Sequence, residues 1–133
     1  MSQDKFMNKN NIYKILRELE WKEAQESGQI ITDLDNQDGF IHLSTASQLA
    51  ATLAFFFKDS DYLQLLQLDL DKIDVKKLIY EAPYSNEGKR KNAFPHLYSQ
   101  LMTNQITESW TIERAGFSLP EEVILQAENP IEE

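Results

Sequence analysis

The segment "YLQLLQLDL" at residues 62–70 constrains the fold of this 133-residue chain more than any other. Leu63 and Leu65 alternate onto one face of a strand, and Leu66, Leu68 and Leu70 onto the other, so part of the strand is apolar on both sides. Such a strand has to lie inside the core. The chain is long enough to close one core and too short for two comfortable ones, so one domain with one site is expected. It contains no cysteine, which excludes disulfides, thiolate zinc sites and a cysteine nucleophile and leaves packing to hold the fold.

Along the rest of the chain, apolar pattern and turn chemistry alternate. Residues 1–10 read as a flexible leader. "NIYKIL" predicts a strand, and "RELEWKEAQESG" a helix closed by Gly28. "QIITDLDNQDG" fails the EF-hand pattern in either register and reads as an acidic turn. "FIHLS" is a short strand leading into the helix "TASQLAATLAFFFK", whose Thr45 and Gln48 match a capping box. "KKLIYEAP" is a strand stopped by Pro83, "YSNEGKRKNA" a long loop running into "FPHLY", and "ITESWTIERAGF" a final strand. Two main helices with five or six short strands predict an α+β domain over residues 11–120, followed by an acidic tail at 121–133.

Acidic side chains outnumber basic ones, 22 to 13, for a net charge of −9. That balance argues against broad nucleic-acid binding, which relies on Lys and Arg. No apolar run approaches the ~20 residues of a spanning helix, and the polar N-terminus lacks the features of a signal peptide, so a cytoplasmic protein is expected. Lys76, Lys77, Lys89, Arg90 and Lys91 lie close together in sequence. The "KRK" run reads either as a solvated loop or as a phosphate clamp in which Arg90 grips an anion.

The two histidines, His42 and His96, sit in parallel apolar frames, "FIHLS" and "FPHLY". They are candidates for acid–base or hydrogen-bonding roles, because histidine titrates near neutral pH. The competing reading is a pair of buried imidazoles bonded to backbone. No H-x3-H or H-E-x-x-H spacing is present to pre-set a metal site. Ser44, two residues from His42, is expected on the same strand face, where hydroxyl and imidazole together grip a sugar diol or a carboxamide. Thr45 reads first as a helix cap and second as a ligand contact. Glu81 and Asp38 are candidate carboxylates, and Tyr13, Tyr80, Tyr84 and Tyr98 offer stacking surfaces or half-buried strand filler. The G-x-S-x-G, G-x-G-x-x-G and P-loop patterns are absent.

Taken together, "IYKI", the Trp-bearing helix ending in Gly, "DGFIHLST", the leucine-rich strand, the strand with "YE", and "FPHLY" resemble the uncharacterised bacterial domain-of-unknown-function family 952, from about Ile12 to about Gly116. That family is distantly similar to the ADP-ribosyltransferase-like superfamily, which includes the RNA 2′-phosphotransferases. The resemblance implies a bent, split, mostly antiparallel sheet and a cleft for a nucleotide-like ligand, with NAD as the implied cofactor. It implies a transferase in which His42 meets a ribose hydroxyl, Ser44 supports the nicotinamide side, His96 and Tyr98 line the cleft, and Glu81 is the acid–base group. The arginine-rich set of the RNA phosphotransferases has no counterpart: only Arg17, Arg90 and Arg114 exist. A non-catalytic module binding a small ligand or a protein through the same cleft remains the alternative.

Overall fold

The computed structural model describes residues 11–82 and 93–113, together with Pro120 and Val123. The leader at 1–10, the loop at 83–92 with Arg90 and Tyr84, and the acidic tail apart from Val123 lie outside the described residues.

Within them the strands form two antiparallel sheets. In the first, β1 (Ile12–Arg17) pairs with β4 (Tyr62–Leu68) on one side and β3 (Ser44–Thr45) on the other, and β7 (Ile106–Glu113) pairs with the far edge of β4. The second places β6 (Phe94–Leu97) between β2 (Ile41–His42) and β5 (Leu78–Glu81). Leu43 is the crossing point between the sheets: β2 ends before it and β3 begins after it. The expected "FIHLS" strand is therefore two short strands in different sheets, joined where the Leu43 N–H donates to the Pro95 carbonyl at 3.1 Å.

Among the described residues three α-helices flank the sheets. Helix α1 (Glu18–Ser27) starts where the Glu20 carboxylate accepts the Arg17 N–H at 2.8 Å, and it closes on Gly28, whose φ of 84° places it in the left-handed region that glycine tolerates best. Helix α2 (Asp33–Asp38) corrects the reading of that acidic segment as a turn. Thr32 accepts the Asp35 N–H at 3.1 Å while Asp35 accepts the Thr32 N–H at 3.0 Å, and Gly39 at φ 86° donates back to the Asp35 carbonyl. A reciprocal cap at one end and a left-handed glycine at the other satisfy the ends of this six-residue helix, and the bonds that Asp35 accepts from Lys14 and His42 fix it to the sheets. Helix α3 (Leu49–Phe56) follows a 3-10 turn at Ala46–Gln48, where Gln48 accepts the Thr45 N–H at 2.9 Å and donates to the Ala93 carbonyl at 2.9 Å.

The two-faced strand accounts for the core. Leu66 and Leu68 pack with Ile12, Leu16, Ile41, Leu43 and Leu97 between the sheets. Leu63 and Leu65 pack with Tyr13, Ile15 and with Leu49 and Leu53 of α3 on the opposite side. Strand β1 obeys the same alternation, and that puts Lys14 on the face of Ile12 and Leu16, with only 4% of its surface exposed. A charged side chain inside an apolar layer demands partners. Among the described residues no helix is long and apolar enough to cross a membrane.

Candidate functional site

Those partners come from α2 and β2. The Lys14 ammonium donates to both carboxylate oxygens of Asp35, at 2.8 and 3.0 Å, and to the His42 carbonyl at 3.0 Å, so all three of its protons are used. Asp35 also accepts the Thr32 N–H, the His42 N–H at 3.0 Å and the His42 ring at Nδ1, 2.7 Å away. Burial alone would raise the Asp35 carboxyl, but the His42 ring and the Lys14 charge outweigh it and hold the group well below the usual carboxylate range. For Lys14, burial is the larger effect and draws the ammonium below its ordinary value against the pull of Asp35. The asymmetry follows from the donors: Asp35 gathers five and Lys14 has three acceptors.

The second ring nitrogen of His42 meets a second carboxylate, with Nε2 2.9 Å from Asp38 Oδ2. Carboxylates only accept, so with both ionised both contacts are hydrogen bonds only when the ring carries two protons. Residues 35 and 38 lie one turn apart on α2, which aims both side chains at β2.

His96 pairs directly across from His42 in the second sheet, and the two rings meet edge to face with centroids 5.7 Å apart. Its Nδ1 lies 2.7 Å from Glu81 Oε1, the same oxygen that accepts the Tyr98 hydroxyl at 2.8 Å. The His96 bond first and the Tyr98 bond second hold the Glu81 carboxyl below its ordinary value. Among the described residues no hydrogen-bond partner meets His96 Nε2. Phe40 covers the imidazole as a stacked ring at 4.0 Å and touches Tyr98 at 5.3 Å.

The structure therefore brings together His42, Asp38, His96, Glu81 and Tyr98, and separates Ser44, Tyr13 and Thr45 from them. The Ser44 hydroxyl is buried 3.3 Å from Thr52 of α3, because the break at Leu43 places it in the other sheet; the shared strand face expected for Ser44 and His42 does not form. Tyr13 points away from Lys14 into the α3 side of the core. The Thr45 hydroxyl lies 3.3 Å from Ser47 at the start of the 3-10 turn. Arg90 lies outside the described residues. Lys14 and Asp35, which hold His42, are not among the expected site residues; the T-x-x-D spacing of Thr32 and Asp35 is the signal that marks the helix carrying Asp35 and Asp38. Among the described residues no group of three His, Asp or Glu side chains is placed to hold a metal ion.

Phe40, which stacks on His96, also lines a shallow depression of about 270 Å³ between α2 and the residues after β6. Phe40, Ile41, Leu97 and Tyr98 contribute to its walls together with Gln29, Asn36 and Gln100.

The model of a family described as a protein of unknown function (DUF952) matches residues 15–109. The crystal structure of protein CC0527 from Caulobacter crescentus is 33% identical, with a TM-score of 0.67, and the match covers 77% of this chain and 86% of that one. The solution NMR structure of CC0527 gives a TM-score of 0.65 at the same identity. No curated protein matches the chain.

Proposed function

The chain belongs to the DUF952 family of unknown function, and from that premise we propose that it is a small transferase of ADP-ribosyltransferase-like fold acting on a nucleotide or NAD-like ligand beside His96. One observation carries the reading: the Glu81 carboxylate, 2.7 Å from His96 Nδ1, orients the imidazole so that Nε2 faces no partner among the described residues. A carboxylate–imidazole pair of this kind sets the tautomer in which Nε2 accepts a proton. The side chain of Glu81 is 40% exposed, so the same carboxylate stands where a positive ribose could be stabilised. The split between two antiparallel sheets also suits this fold class.

In the transfer, the bond from ribose C1′ to its base breaks with the electron pair leaving on the base. The acceptor oxygen bonds C1′, and its proton passes to His96 Nε2. His42, closed between Asp35 and Asp38, positions the strand opposite His96.

A second reading is a binding module with no turnover. It is favoured by the His96 side chain being only 9% exposed and by both His42 nitrogens being engaged. A thermal-shift screen with NAD, ADP-ribose, mononucleotides and short RNA ends, run on wild type, His96→Ala and His42→Ala, tests both readings. A ligand binding the folded state at a hundred times its Kd adds about 2.7 kcal/mol. Stabilisation that is lost in His96→Ala, with the free base appearing by chromatography, supports the transferase. Stabilisation without product supports the module, and no shift with any probe removes both.

A further inference from the structure

The depression lined by Phe40 differs in chemistry from the histidine cluster. Asp35 is the one carboxylate among its lining residues, no Lys or Arg lines it, and Asp35 is itself 1% exposed and already holds five hydrogen bonds. Its lining is largely apolar: the exposed Ile31 and Tyr98 join the buried Phe40, Ile41 and Leu97. Its rim carries the side-chain amides of Gln29, Asn36 and Gln100, none of which forms a side-chain hydrogen bond with the described residues. Amides both donate and accept, so three of them around an apolar lining match a flat, uncharged ring bearing its own N–H and C=O groups.

We propose that this depression is a subsite for an uncharged planar ring carrying an amide edge, the chemistry shared by a nucleobase and by a nicotinamide-type carboxamide. The ring lies beside Phe40, and its polar edge exchanges hydrogen bonds with Asn36 and Gln100. Size agrees: about 270 Å³ lies just below the ~300–1,000 Å³ of sites for larger ligands, and it accommodates one ring in preference to a whole dinucleotide. Charge agrees as well, since a chain of net charge −9 opposes an anion at a site without a cation, whereas a neutral ring meets no such barrier. Phe40 is shared, stacked on His96 and lining the depression, so a ring held there stands next to the proposed acid–base pair. As a subsite of the transferase ligand the assignment rests on that reading; as a ring site it stands alone.

The test is a ¹H–¹⁵N NMR titration of the full chain with nicotinamide, uridine and adenosine in separate arms, with benzoate as an anionic control. A single ring binds weakly, so saturation is expected at about millimolar ligand. Shifts should centre on the side-chain NH2 signals of Asn36 and Gln100, with benzoate inactive, and the arm that saturates first identifies the source of the ring. Asn36→Ala combined with Gln100→Ala should weaken ring binding about tenfold. If those shifts appear and no transfer is ever detected, the transferase reading falls and the subsite stands. Shifts that centre on Glu81 and survive the double substitution, equal binding of benzoate, or no shift with any ring overturn the subsite.

Discussion

His42 and His96 occupy matching frames in sequence and face each other across one pair of strands, yet their surroundings are opposite. His42 has a carboxylate on each ring nitrogen, a lysine beneath its carbonyl and a helix built to supply both acids. His96 has one carboxylate, and that carboxylate reaches solvent. The first imidazole is a joint between β1, α2 and β2, while the second retains a nitrogen that no described residue engages. Residue type and frame do not separate these roles. The distribution of partners does, and perturbing each set should separate stability from ligand chemistry.

The largest effect is expected at Asp35. Asp35→Ala strands the Lys14 charge in an apolar layer, releases His42 and opens the Thr32 cap; removing one partner of a buried pair costs about 3–5 kcal/mol. Urea unfolding should show the midpoint falling accordingly. Lys14→Met should cost less, because Asp35 keeps its bonds from His42 and Thr32 and a flexible apolar chain fills the layer. Equal losses would break the view that Asp35 is the hub.

Acid should single out the same region. Asp35 is depressed in the folded chain, while an unfolded Asp titrates near about 3.9. Above that value both states are ionised and the full contribution is present. As pH falls below it the unfolded chain takes up its proton first, and stability drains until the folded group is protonated as well. Between pH 7 and about pH 3, wild type should lose more stability than Asp35→Asn, read as the difference in urea midpoints. Parallel losses would assign acid sensitivity elsewhere.

The α+β class was legible because it rests on local patterns: the two-faced leucine strand, the caps at Gly28 and Thr45, and the alternation of β7. The histidine pair was legible as well, as parallel frames. What was not legible depends on pairing at a distance. Lys14 reads as an ordinary polar position until strand alternation turns it inward, and its partner is 21 residues away. Asp35 and Asp38 lay within a segment whose acidity and closing glycine suggested a turn, although the Thr32–Asp35 spacing encodes a cap. One continuous strand would put Ser44 on the same face as His42, and nothing local announces that the chain changes sheets at Leu43. The separation from Ser44 and Tyr13 is thus a consequence of topology.

On the His96 side, substitutions should leave the fold almost unchanged. Tyr98→Phe removes one of two hydrogen bonds to Glu81 Oε1 and keeps the ring against Phe40. The urea midpoint should therefore stay at the wild-type value. The Glu81 carboxyl, held low first by His96 and second by Tyr98, should move back up part of the way in Tyr98→Phe and further in His96→Ala, measurable by ¹³C NMR titration of the side chain. If Glu81 stays put in both variants, it does not hold the His96 imidazole as the 2.7 Å contact implies, and the contrast between a closed and an open histidine loses its second half.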